Sequence, residues 1–279
     1  MRLSALIAVL ALSAWSAGAA AQFNLNRLID TAKGLRQATK EVDEQQEAEI
    51  GREYAAVLLG AAPLLANAEV QRYVNRVGRW LSLHSERPDL NWQFGVLDSE
   101  NINAFATPGG YVLVTKALLA RLKNEAELAG VLAHEITHVV KKHHLTAMRK
   151  GKGLEAGASA LSDYLAQQGQ RSLAAKERLV SGIKEAMLRG LDKDDEFEAD
   201  RMGVVVAARA GYDPYGLPSV LQMLQSLNPQ DSSLALMFAT HPDPSSRLDA
   251  LEGAIGARLD PFASQAQAAE RYGRFMQGK

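Results

Sequence analysis

The apolar positions of this chain change period along its length. Val70, Val74, Val77 and Leu81 step by three or four and form one face of a helix over 67–84. Core packing accounts for that stripe. A further helix covers 51–60. Residues 24–50 read as an amphipathic, charged segment, with Leu25, Leu28, Ile29 and Leu35 at helical spacing and an acidic stretch from Glu41 to Glu49. The period then drops to two. Trp92, Phe94 and Val96 alternate with Gln93 and Gly95, Ile102, Ala104 and Ala106 alternate again, and 111–115 is a third strand. Turns at 98–101 and at Pro108-Gly109-Gly110 separate them, so the pattern predicts a small antiparallel meander. A short helix over 116–122 and a long one over 125–144 follow. Helices over 177–189, 195–210 and 214–227 come next, with Gly211-Tyr212-Asp213-Pro214 as a stop and restart. The tail from Pro244 holds one or two more. The expected fold class is α+β, mostly helical with a small antiparallel sheet.

Residues 150–175 break this rhythm. Gly151, Gly153, Gly157 and Gly169 sit among Ala, Ser and Gln, which reads as a mobile insertion able to gate a cleft. The chain's start has a different logic. Arg2 precedes an apolar run over 3–12, and Ala19-Ala20-Ala21 fits an A-x-A cleavage site. An apolar core of about ten residues is half of what a bilayer needs, so 1–21 is expected to be a cleavable signal peptide. The apolar stretch 55–66 is too short to span and is broken by Pro63. The expectation is a single exported, periplasmic domain over 22–279 without a transmembrane segment, its catalytic core at about 45–255.

Charge and composition remove several function classes. Lys and Arg number 31 against 32 Asp and Glu, so there is no basic excess for nucleic acid. Cysteine is absent, which excludes disulfide scaffolds, thiolate zinc sites and cysteine catalysis. Hydrophobic residues at 47% are enough to bury a core and exclude chain-wide disorder.

The chemistry concentrates in His134-Glu135-Ile136-Thr137-His138 on the long helix. Residues four apart on a helix stand one above the other, so both imidazoles reach one side and can chelate Zn²⁺. Glu135 lies next to the first ligand and can act as general base on a water there. A catalytic zinc needs a third protein ligand. Glu196-Phe197-Glu198-Ala199-Asp200 supplies it: Glu196 and Asp200 share a helix face, Glu196 as ligand and Asp200 as acceptor for a ligand's free ring N–H, while Glu198 points elsewhere. His143 and His144 rotate away from the ligand face and read as surface histidines at a helix end.

These motifs resemble the gluzincin metalloproteases of the HtpX and prenyl-CAAX-endopeptidase family, which includes soluble periplasmic BepA-like members. The H-E-I-T-H and E-F-E-A-D strings carry the resemblance, together with Asn103-Ala104-Phe105-Ala106-Thr107-Pro108-Gly109-Gly110-Tyr111 and Thr240-His241-Pro242 with Arg247 downstream. It implies zinc endopeptidase activity with one Zn²⁺ held by His134, His138 and Glu196, and Glu135 as the catalytic group. It also implies that the Asn103, Ala104, Phe105 strand is an edge that pairs with an extended substrate. His241 is placed to stabilise the oxyanion or to occupy the open zinc position and hold the enzyme latent. Arg247 reads as an ion-pair or capping residue anchoring that turn. The chain shows neither the transmembrane helices of HtpX nor the long helical-repeat domain of BepA-like proteins, and reads as a minimal catalytic domain. The expected partners are unfolded or misassembled proteins in envelope quality control, and no nucleic acid. The alternative is a chaperone or assembly factor for outer-membrane proteins with latent proteolysis.

Overall fold

The computed structural model describes residues 42–149 and 191–276, and the compact unit it resolves begins at Asp43. The expected signal peptide, the segment 24–41, the insertion at 150–175 and the helix at 177–189 lie outside the described residues.

Helix α1 (Glu44–Ala61) opens with a capping box. The Asp43 side chain accepts from Gln46 N–H and the Gln46 side chain accepts from Asp43 N–H. It covers the expected 51–60 helix and begins seven residues earlier. Helix α2 (Ala68–Ser82), capped by Asn67, buries Val70, Val74, Val77 and Leu81, the stripe read from the sequence. Three strands follow: β1 (Gln93–Leu97), β2 (Ala104–Thr107) and β3 (Tyr111–Thr115).

The sheet is mixed rather than an antiparallel meander. Its order is β1-β3-β2, with β1 parallel to β3 and β2 antiparallel to β3. The β2–β3 hairpin forms as expected because Gly109 and Gly110 take the positive φ its tight turn needs. The 98–101 stretch does not fold β2 back onto β1. Lys116 holds Asp98 and Glu100 at 2.6 and 2.9 Å, and Ile102 N–H donates to Ser233 C=O. The link therefore carries the chain past β3, whose Val112, Leu113 and Val114 are buried at the centre of the sheet.

After a short α3 (Lys116–Leu119), helix α4 (Glu125–Val140) is buried from Glu125 to Val139. Asn124 caps it through Glu127 N–H. The long helix expected to reach residue 144 ends here. Lys142 takes φ 57°, which breaks the helix, and a new helix α5 (His143–Arg149) starts after it. Helix α6 (Lys193–Arg209) packs on α4 closely enough that a Cβ at Gly203 would sit 2.9 Å from His134 N. Helices α7 (Gly216–Ser226), α8 (Ala235–Thr240), α9 (Pro244–Ile255) and α10 (Ala269–Met276) follow among the described residues. The main core joins α2, the sheet and α4 through Trp92, Ile102, Leu128, Leu132 and Ile136, all essentially buried.

Candidate active site

Four elements converge on one point beneath β2. Helix α4 brings His134, Glu135 and His138. Helix α6 brings Glu196 and Asp200, the turn after α8 brings His241, and α9 brings Arg247. Donor atoms of His134, His138, Glu196 and His241 all lie within 4.8 Å of one another. His134 Nε2 and His138 Nε2 are 3.0 Å apart and lie 3.6 and 3.5 Å from the two Glu196 oxygens. His241 Nδ1 is 2.8 Å from Glu196 Oε2. Among the sequence candidates, the structure thus brings together all three expected ligands and His241.

The donor set fits a zinc ion. Two ligands bonded at about 2.0–2.1 Å with tetrahedral angles sit roughly 3.3–3.4 Å apart, close to the separations just given. Glu196 is fully buried, and its Oε1 has no hydrogen-bond partner. A buried carboxylate oxygen without a donor is costly, and a cation at this point would satisfy it.

The surrounding charges prepare these groups. His134 Nδ1 lies 2.9 Å from Asp200 Oδ1, which holds a proton there, so that the proton a bound cation would displace is the one on Nε2, facing the cluster. Arg247 grips the same carboxylate with two bonds, Nε to Oδ2 at 2.8 Å and Nη2 to Oδ1 at 2.6 Å, and its Nη1 is 3.8 Å from Glu196. Arg247 is therefore more than an anchor of its turn, for it is buried and charges the floor of the site. Burial alone would raise the Asp200 pKa, but Arg247 and His134 overcome it and bring the carboxyl down to about 2. Burial and the Arg247 charge lower the basicity of His134; Asp200 and Glu196 outweigh them and lift its pKa to about 9. His138, without an adjacent carboxylate on Nδ1, is pushed well below the ordinary histidine range by burial. Burial works against the Glu196 charge, yet the surrounding histidines hold its carboxyl well below the carboxylate range. Glu135 goes the other way: burial raises its pKa.

The sheet edge is part of the same cleft. Thr115 N–H donates to Asn103 C=O, and bonded pairs alternate along an antiparallel ladder. Phe105 and Thr107 therefore face β3, while the backbones of Ala104 and Ala106 face the other side, where no strand pairs among the described residues. Asn103 is buried, and its Oδ1 accepts from Ala104 N–H. The hollow beside Glu135, His138 and His241 is walled by Phe105, Tyr54, His144 and Leu236. A second hollow also touches His134, Glu135 and His241 and is walled further by Leu118, Val131, Val220, Leu224 and Met237.

Two sequence readings need correction. His143 is not a surface residue; it is buried, 2.9 Å from His138 Nδ1. His144 is half-buried against the Tyr54 ring, and burial brings its pKa down to about 4. Both follow from the break at Lys142, which turns α5 back toward the site.

The profile of Peptidase family M48 matches residues 65–255, more than half of the chain. This chain is a member of peptidase family M48. The beta-barrel assembly-enhancing protease of Escherichia coli (strain K12) is 33% identical over 207 residues, covering 73% of this chain and 42% of that protein. The mitochondrial metalloendopeptidase OMA1 of Schizosaccharomyces pombe is 27% identical over 180 residues, 64% of this chain and 51% of that one. The metalloprotease YcaL of Escherichia coli (strain K12) is 27% identical over 164 residues, 59% and 62% of the two chains. The chain thus spans about half the length of these relatives. With M48 membership comes the class of metalloendopeptidase. The matched span holds every residue of the donor cluster. No helix among the described residues is long and apolar enough to cross a membrane.

Proposed function

We propose that this M48 member is an exported zinc endopeptidase acting on extended segments of unfolded or misassembled proteins. The observation that carries the reading is the convergence of His134, His138 and Glu196 beside buried Glu135, next to a strand edge that no other strand pairs among the described residues. His134, His138 and Glu196 would hold one zinc ion. When bound, zinc supplies a Lewis acid and brings a water molecule's pKa toward neutrality. Glu135 takes a proton from the attacking water and returns it to the leaving nitrogen. Asp200 keeps His134 in the tautomer that leaves Nε2 free, and Arg247 keeps Asp200 charged. An extended substrate pairs with the Ala104 C=O and the backbone of Ala106, while Asn103 fixes the start of the strand through Ala104 N–H and Phe105 walls the hollow beside it.

Export to the periplasm is supported by Arg2, the apolar run over 3–12 and the small residues at 19–21. A role in envelope quality control accords with the name of the Escherichia coli relative, a beta-barrel assembly-enhancing protease. The 2.8 Å contact of His241 with Glu196 favours a second reading of the same site, in which His241 closes the donor set and holds the enzyme latent.

Zinc content and casein cleavage on residues 22–279 test both. Wild type and Glu135→Gln should each hold one zinc, and cleavage should fall at least a hundredfold in the variant. Absence of zinc from both would overturn the ligand set. Zinc in both with no cleavage in wild type would favour the latent or chaperone reading. His241→Ala decides its role: cleavage gained where wild type is silent marks a latch, and cleavage lost where wild type is active marks an oxyanion donor.

A further inference from the structure

His138 turns its two ring nitrogens to different surroundings. Nε2 faces the donor cluster, and Nδ1 meets Nδ1 of His143 at 2.9 Å. The other nitrogen of His143, Nε2, lies 3.2 Å from Glu198 Oε2. Lys141 Nζ stands 3.7 Å from Glu198 Oε1 and secures that carboxylate from outside. A chain of contacts therefore runs from α4 through α5 to α6.

The protons along this chain can be placed. If the His138 Nε2 lone pair faces a metal, its one proton sits on Nδ1. His143 Nδ1 must then accept, which puts the His143 proton on Nε2, where Glu198 accepts it. Each contact holds one proton, and each buried nitrogen is satisfied.

The backbone is bent to make this happen. His143 is five residues after His138, and an unbroken helix would carry it about 140° around the axis. Lys142 instead adopts φ 57°, a conformation that disfavours side chains other than Gly, Asn and Asp. That break returns the His143 ring to His138. Glu198, which helix spacing directs away from Glu196 and Asp200, meets it there.

We propose that His143, held as its Nε2–H tautomer by Glu198, is a positioning residue that fixes the ring orientation and tautomer of His138 for metal binding. The proposal rests on the reading of His134, His138 and Glu196 as the ligand set. The two ligand histidines are then steadied unequally, His134 by a charged carboxylate and His138 by a neutral imidazole with a carboxylate behind it.

The test measures zinc affinity by chelator competition on residues 22–279. Wild type is compared with His143→Ala, His143→Asn and Glu198→Ala, and ¹⁵N NMR of the imidazoles is recorded on the zinc-loaded wild type. Loss of such an outer partner typically weakens metal binding 10–100-fold, and His143→Ala should fall in that range. Asn places its Oδ1 where His places Nδ1, so His143→Asn should recover to within a few-fold of wild type. Glu198→Ala leaves the imidazole, among the described residues, with only the more distant Asp195, 3.9 Å from His143 Nε2, to hold its tautomer and should weaken binding a few-fold. The spectrum should show His143 Nδ1 without a proton. Wild-type affinity in His143→Ala, or a protonated His143 Nδ1, overturns the proposal. Should His143→Ala not fold, Glu198→Ala and the spectrum decide it alone. A wild type that takes up no zinc overturns the ligand set and the proposal with it. A wild type that binds zinc no better than His143→Ala overturns the proposal alone.

Discussion

Gly203→Ala tests whether the distance between two helices sets the site. Gly203 lies on α6 against α4 at His134. An added Cβ would come 2.9 Å from His134 N, 3.0 Å from His134 Cα and 3.3 Å from Ala133 C. The shortfall is about 0.5 Å from the 3.4 Å at which ordinary contact begins. The obstacle is backbone, so no rotamer change relieves it, and α6 has to move away from α4. Asp200 lies one turn before Gly203 and Glu196 two turns before, so both move with it. A metal site tolerates about 0.2 Å in its ligand distances, less than half of that displacement. Overpacking of this kind costs roughly 1–3 kcal/mol.

Two measurements separate these effects. Urea denaturation of the metal-free protein should show a loss of about 1–3 kcal/mol. Chelator competition should show zinc affinity reduced by tenfold or more, because His134 and Glu196 no longer stand at bonding separation. Stability within about 0.5 kcal/mol of wild type would mean that α6 shifts freely. A clear stability loss with unchanged zinc affinity would refute the reasoning itself, because the site would then be set by something other than the α4–α6 spacing.

Other expectations follow from single features. Gly60 is helical and exposed, and a Cβ there meets nothing within 4 Å, so Gly60→Ala should stabilise by about 0.5 kcal/mol in the same urea assay. This is the opposite sign to Gly203→Ala. The Asp200 pKa is lowered from 3.8 to about 2 because Arg247 and His134 overcome its burial. Its contribution to stability is therefore complete above about pH 4 and lost as the pH falls toward 2, an amount of about 2 kcal/mol. Asp200→Asn should lack that part of the acid dependence, and an identical pH 4 to pH 2 loss in both proteins would refute the assignment.

Most of the candidate site's arrangement was legible because it follows helix arithmetic. The i, i+4 spacing of His134 and His138 and of Glu196 and Asp200 fixes which side chains share a face. The structure keeps both pairs on the cluster side. The α2 stripe and the hairpin turn were legible for the same reason, since each depends on residues within one element. The sheet order was not. Alternation identifies a strand and its faces, but it does not say which strand lies in the middle. The link after β1 is held by Lys116 and Ser233, and nothing local in the sequence marks those partners.

The unequal legibility of the two ring N–H partners has the same cause. Asp200 could be assigned to His134 because its position follows from Glu196 by one helical turn. His143 could not be assigned to His138, because the assignment depends on a break at Lys142, and neither Gly nor Pro marks that break. The sequence around it, Val139-Val140-Lys141-Lys142-His143-His144, reads as uninterrupted helix. A faint signal lay elsewhere, in Glu198. An acidic side chain between Glu196 and Asp200, pointing away from both, is free to meet a cation or a ring N–H on another element, as Glu198 meets Lys141 and His143. A histidine just beyond the first ligand helix is a chemically suitable partner. The break itself lies beyond any local reading, because the contacts that offset its strain are tertiary: Lys142 with Glu47 at 3.4 Å, and His143 with His138 and Glu198.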